Sequence, residues 1–188
     1  MSATATPVSA RYGVTLGLGL AGSAAICAAA YLGYHRALFY VGAALVVWGW
    51  LKLRKCSRKQ ILTAIAAWAL PLLVCPPVLS QDLYIYLAQG AIAHAGLDPY
   101  AVGPSGLDSP LTDRVSWVWE NTPSPYGPLF ILLMKSIVAV TGPNLVLAAA
   151  VTKVVIASGL VLLCAALPGL ARHLGGSAEQ ALWIGAAN

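Results

Sequence analysis

The sequence predicts an all-α fold: a polytopic helical membrane protein with an acidic external loop containing short helices. Three observations predict it. The 188 residues are 59% hydrophobic and only 9% charged, where a soluble domain carries about 25% charged residues. Uncharged apolar runs recur along the chain, several of them long enough to cross ~30 Å of hydrocarbon as helices. Five of the six acidic residues fall in one stretch, from Ser80 to Gly127.

The first run, Val14 to Tyr34, contains no charged residue. A signal peptide competes with a retained helix here. The segment before it offers only Arg11 as a basic residue, and a second apolar run follows at once, so a retained helix fits better. Ile26 before Cys27 is a poor match to a lipoprotein cleavage site. The second run, Ala37 to Leu51, has Tyr40, Trp48 and Trp50 suited to interfacial belts. Lys52, Arg54, Lys55, Arg58 and Lys59 follow as a compact basic loop, which reads as cytoplasmic. The formal charge of +5 therefore comes from a membrane-flanking cluster. It forms no aromatic-interleaved basic face, so nucleic acid is not an expected partner. The third run, Gln60 to Leu79, contains Pro71 and ends at Pro76-Pro77.

Composition then changes. Asp82, Asp98, Asp108, Asp113 and Glu120 stand against one base, Arg114, so residues 80–127 carry about −4. Pro99, Pro104, Pro110, Pro123 and Pro125 concentrate there. Trp117, Trp119 and four tyrosines give the stretch apolar surface to pack, so it reads as a structured loop. Pro128 to Val140 is a short apolar run interrupted by Lys135, and Gly142-Pro143-Asn144 breaks the chain. Leu145 to Leu167 is long enough to cross, with Lys153 facing protein or snorkelling. Arg172 to Ser177 is a loop, and a further helix starts near Ala178 and is cut off at Asn188. The divisions expected are 1–79, 80–127 and 128–188. With the basic loop cytoplasmic, three alternating spans place the acidic loop on the extracytoplasmic face of a multi-pass cell-membrane protein.

Four cysteines, Cys27, Cys56, Cys75 and Cys164, lack metal-type spacing and read as small apolar residues. His35 and His173 lie in loops and His94 in an apolar helix, with no ligand-like neighbours. Gly17 and Gly19 sit inside a span, outside any strand–turn–helix context for phosphate binding.

The chemically informative stretch is Ser80-Gln81-Asp82-Leu83-Tyr84-Ile85-Tyr86-Leu87-Ala88-Gln89-Gly90. Ser80 is the expected N-cap. Asp82 then lies in the first turn, where the macrodipole favours negative charge. Asp82, Tyr86 and Gln89 share one helical face, and Gly96 ends the helix before a Leu97-Asp98-Pro99-Tyr100 turn. Two readings of Asp82 remain: a dipole partner, or a general base that takes a proton from an acceptor hydroxyl. Asp98 is a turn former or a second acid, as a glycosidase would require. Tyr84 and Tyr86 fit interface anchors, and Trp117 and Trp119 fit packing residues or sugar platforms. Transporters place ionisable groups near the bilayer midplane; here only Lys135 and Lys153 interrupt apolar runs. A non-catalytic membrane scaffold is the remaining alternative.

The stretch from Ser80 to Tyr86, with Gly90 and Gly96-Leu97-Asp98-Pro99-Tyr100, resembles the first large external loop of glycosyltransferases of the GT-C fold, which use polyprenyl-phosphate sugars. Trp119-Glu120-Asn121-Thr122-Pro123-Ser124-Pro125-Tyr126-Gly127-Pro128 sharpens the likeness to actinobacterial α-1,6-mannosyltransferases that use polyprenyl phosphomannose. The likeness is clear over residues 76–133. It implies mannose transfer from a polyprenyl-phosphate-mannose donor to a mannan or lipoglycan acceptor, with inversion at the anomeric carbon. Asp82 matches the family's loop acid and would be the base. Asp98, Tyr100 and Tyr126 would shape the site, and Tyr84, Tyr86 and Gln89 join them as substrate-binding candidates. Membrane lipid is the expected surroundings, and no metal or cofactor is expected. Enzymes of this fold are much longer, so the chain is expected to represent an N-terminal portion.

The orientation is testable at Ser105. A cysteine placed there is expected to react with a membrane-impermeant maleimide added from outside the cell, and labelling only from the cytoplasmic side would overturn the assignment.

Overall fold

The structure, a computed structural model, describes residues 8–187. Among the described residues it is all-helical, with seven α-helices, one 3-10 turn and no strand. The helices are α1 (Val8–Tyr31), α2 (Arg36–Leu53), α3 (Arg58–Val74), α4 (Asp82–His94), α5 (Pro128–Thr141), α6 (Leu145–His173) and α7 (Ala178–Gly185). The 3-10 turn is Pro104–Gly106. Three helices are long and apolar enough to cross a membrane: α1 over Ala10–Tyr31, α2, and α6. The chain divides into two compact units, one of Met1–Val78 with Ala157–Asn188 and one of Leu79–Ile156.

In the first unit, α1 and α2 form an antiparallel hairpin. The turn between them uses Gly33 at φ 72° and Tyr34 at φ 63°. The left-handed region is costly for a residue with a Cβ. The Tyr34 hydroxyl donates to Pro77 O at 2.8 Å and the Tyr31 hydroxyl to Val74 O at 2.7 Å, tying the turn to the end of α3. His35 is the N-cap of α2, its Nδ1 accepting from Leu38 N, and so has a defined structural role in the turn.

Small residues allow the two helices to touch. A Cβ on Gly22 would stand 2.6 Å from Gly42 O, and one on Gly42 would stand 2.7 Å from Gly22 O. Further along, Gly19 and Gly49 leave a notch filled by the Trp68 indole from α3. Its Nε1 donates to Leu16 O at 3.0 Å, satisfying the one polar atom that burial would otherwise orphan. Trp50 and Trp183 exchange hydrogen bonds, each Nε1 donating to the other's carbonyl at 2.9 and 2.8 Å, with rings stacked at 4.9 Å. This staple holds α7 to the end of α2.

Boundaries differ from the sequence expectation for identifiable reasons. Helix α3 covers Arg58–Val74, not residues 60–79. A Ser57–Gln60 capping box starts it earlier, and Cys75 turns extended ahead of Pro76-Pro77. At 17 residues it lies outside the three span-length helices. Helix α6 continues past Leu167 to His173 with Pro168 inside it. Helix α7 ends at Gly185, with Ala186 N bonding Leu182 O, so it is closed before Asn188.

In the second unit, α4 and α5 pack side by side, and Leu111 and Ala148 close the core around Leu87, Ala91, Met134, Ile137 and Val138. Tyr86 meets Phe130 and Gly90 meets Met134. Both contacts advance in the same direction along the two helices, so α4 and α5 run parallel with their N-termini at one end. A Cβ on Gly90 would lie 2.6 Å from the Met134 backbone.

Replacing Gly42 with Ala is expected to force α1 from α2 and lower stability by about 1–3 kcal/mol, the usual cost of overpacking a tight interface. Thermal unfolding followed by helical circular dichroism in detergent checks this. An unchanged midpoint would mean that the close approach is not maintained.

Candidate active site

The candidate site lies at the shared N-terminal end of α4 and α5. Helix α4 begins at Asp82, and its N-cap is Gln81, not Ser80, with no side-chain cap. Ser80 acts one step away: its Oγ accepts from Asp82 N at 3.0 Å, leaving Gln81 at the cap position. Asp82 is partly exposed in the first helical turn.

Tyr86, one turn on, packs edge-to-face against Tyr126 at 5.2 Å and 88°, and against Phe130 at 5.2 Å and 85°. Tyr126 and Phe130 are 5.0 Å apart. Burial pushes the Tyr126 phenol above the usual tyrosine range. The neighbouring Tyr86 and Asp82 push it further in the same direction. At neutral pH Tyr126 therefore holds its proton.

The loop between α4 and α5 is fastened so as to deliver Tyr126 there. Asp98 Oδ1 accepts from Tyr100 N at 2.9 Å, the local bond of a side-chain-mimicked turn. Pro99 O then accepts from Ser124 N at 2.7 Å. Ser124 is buried, and its Oγ accepts from Tyr126 N at 3.2 Å. Ser105 N donates to Glu120 O at 2.7 Å, and Ser105 Oγ donates to Asn121 Oδ1 at 2.7 Å. A Cβ on Gly103 would meet the Asn121 backbone at 2.6 Å, so the two halves of the loop lie in direct contact.

Of the sequence candidates, the structure brings together Asp82, Tyr86 and Tyr126. Tyr84 lies two residues from Asp82 and so faces away from it around the helix. Asp98 is exposed and occupied in its turn. The Tyr100 ring is 47% exposed, outside the aromatic cluster. Gln89 shares Asp82's face but is fully buried, with neither side-chain polar atom hydrogen-bonded among the described residues. Trp117 is 80% exposed and Trp119 43% exposed, so Trp117 stands out of the loop and Trp119 is partly covered. Phe130 and Ser124 lie in the motif of residues 119–130 that carries the family likeness, but sequence reasoning assigned them no role. An aromatic four residues after Tyr126, just inside a Pro-initiated helix, was the available signal for Phe130. No group of three or more metal-ligating side chains occurs among the described residues.

The family described as "Alpha-(1->6)-mannopyranosyltransferase, N-terminal domain" matches residues 8–188. The chain belongs to this family. Over 157 residues it is 43% identical to a probable α-(1→6)-mannopyranosyltransferase of Mycolicibacterium smegmatis, covering 78% of this chain and 28% of the relative. Over 153 residues it is 40% identical to α-(1→6)-mannopyranosyltransferase A of Mycobacterium tuberculosis, covering 78% and 30%. The corresponding Corynebacterium glutamicum protein is 32% identical over 170 residues, covering 83% and 35%. The aligned part is thus about a third of the length of these relatives. No solved structure matches the chain.

The phenol supplies a test of the geometry. In ultraviolet difference titrations, the phenolate signal removed by Tyr126→Phe is expected to fall above pH 10, and Asp82→Asn is expected to move that step down towards 10. A step that ignores Asp82 would separate the two groups.

Proposed function

We propose that the chain carries the catalytic-base half of a membrane α-(1→6)-mannosyltransferase, with Asp82 as the base. The observation that carries this reading is the position of Asp82 on the first turn of α4, one turn before Tyr86, whose ring packs edge-to-face on Tyr126. The sequence likeness at the same residues supplies the reaction: a β-linked polyprenyl-phosphate-mannose donor and a mannan or lipoglycan acceptor, on the extracytoplasmic face.

The step balances with these groups. The acceptor 6-hydroxyl oxygen attacks the anomeric carbon and forms the new C–O bond. The bond from that carbon to the phosphate oxygen breaks, and its electron pair leaves with the lipid phosphate. The hydroxyl proton passes to the Asp82 carboxylate. Attack from the opposite face converts the β-linked donor into an α-linked product. A phosphate leaves without strong protonation, so one base suffices where glycoside hydrolysis needs two carboxylates.

The surrounding residues suit this division of labour. Tyr86 and Phe130 hold the Tyr126 ring, and the Tyr126 O–H is a donor for an oxygen of the acceptor or of the leaving phosphate. The N-termini of α4 and α5 lie at the same end, and the positive ends of their dipoles favour an anion such as the departing phosphate. Asp98 and Tyr100 serve the site by shaping the loop. Gln89, on Asp82's face, is buried, with its amide unbonded among the described residues.

The experiment uses membranes expressing the longest reading frame that contains this chain, supplied with radiolabelled polyprenyl phosphomannose. Asp82→Asn preserves size and removes the base, and a loss of about 10²–10⁴-fold in transfer is expected. Tyr126→Phe keeps the ring contacts and removes the donor, for a loss of about tenfold. Near-normal transfer by Asp82→Asn would remove Asp82 from the base role.

A further inference from the structure

The cytoplasm-type basic cluster is unused by the reading above, and in the fold it is more than a topology signal. The N-terminal end of α1, the C-terminal end of α2 and the start of α3 enclose a cleft of about 880 Å³. Arg11, Lys52, Arg54 and Lys55 line it, and Val14 and Leu51 contribute its apolar surface. Arg11 comes from α1 and the other three from α2 and the following turn, so residues distant in sequence converge on one space. Among the described residues that line it, none is acidic.

The one acidic residue in this unit's sequence, Glu179, accepts a hydrogen bond from the Ser177 hydroxyl at 3.0 Å and lies in the field of Arg58 and Arg172. The cleft cations thus have no carboxylate among their lining neighbours. Burial pushes the Cys56 thiol, also in the lining, up from its usual value, so it adds no negative charge at neutral pH.

The position of the cleft sets the ligand class. Two of the three helices bounding it are long and apolar enough to span a membrane. Tyr12, Trp48 and Trp50 stand on those two helices at the same end, where aromatic side chains mark the headgroup level. Clustered Lys and Arg with an apolar floor at that depth match a phosphodiester head above acyl chains. We propose that this cleft binds the headgroup of an anionic membrane phospholipid, distinct from the donor and acceptor of the transfer reaction. Arg54 and Lys52 are partly committed to aromatic rings, Arg54 over Trp183 at 5.7 Å and Lys52 over Trp48 at 5.6 Å. Bound anion at the cleft would therefore brace the Trp50–Trp183 staple through Arg54.

The test reconstitutes the full chain in an equimolar mixture of phosphatidylglycerol and phosphatidylcholine, then counts co-purifying lipids by native mass spectrometry. Wild type is expected to retain phosphatidylglycerol in preference. The Arg11→Gln/Lys52→Gln/Lys55→Gln protein is expected to lose that preference by about tenfold or more. The charge-matched Arg36→Gln/Lys59→Gln/Arg172→Gln protein is expected to keep it. Equal losses in both variants, no loss in the first, or displacement of the lipid by inorganic phosphate would each overturn the proposal. Should the triple substitution fail to fold, Lys55→Gln alone, on an exposed turn residue, is expected to reduce the preference about fivefold, and an unchanged preference there would equally overturn it.

Discussion

The contact between Gly90 and the Met134 backbone is the constraint on which the second unit depends. With no side chain at Gly90, α4 and α5 approach closely enough for Leu87, Ala91, Met134, Ile137 and Val138 to share one core. Because the helices run parallel, their N-termini sit together, and the long connection must return to the end from which α4 began. That return brings Tyr126 and Phe130 to Tyr86. A larger residue at position 90 would separate the helices and, with them, the carboxylate from the phenol.

The first unit uses the same device for a different end. Gly22 and Gly42 let α1 touch α2, and Gly19 and Gly49 admit the Trp68 ring. In hydrocarbon, helix association gains little from apolar burial, so close backbone approach and dispersion contacts carry more of the packing. Each buried indole N–H there is paired with a carbonyl, as Trp68 with Leu16 and Trp50 with Trp183. The basic cleft lies at the end of these packed helices where α1 begins and α2 ends.

The loop between α4 and α5 shows how polar backbone is satisfied without regular structure. Pro99, Ser105, Asn121 and Ser124 bond across it, and the bond from Ser124 Oγ to the Tyr126 amide carries that order to the site. Its prolines limit the unfolded alternatives, and Asp98 supplies a side-chain acceptor where the helix has ended. Asp98 thus serves geometry, while Asp82, in the first turn of α4, is the carboxylate whose charge the Tyr126 phenol feels.

The sequence by itself determined that the chain is helical and built for a membrane, because so few charges cannot solvate a globule and apolar runs in lipid must satisfy their own backbone bonds. It also determined that Asp82 lies in a helix first turn, that Asp82 and Tyr86 share a face, and that Gly96 ends the helix, since these follow from a 3.6-residue period and local turn chemistry. Periodicity carries no information about what covers a face, so the tertiary structure alone decided that Gln89 is buried and that Tyr100 is not in the aromatic cluster. The pairing of Tyr126 with Tyr86, forty residues away, and of Arg11 with Lys55 around one cleft, depends on how close glycine lets the helices come. That distance is set between elements, and no local pattern in the chain records it.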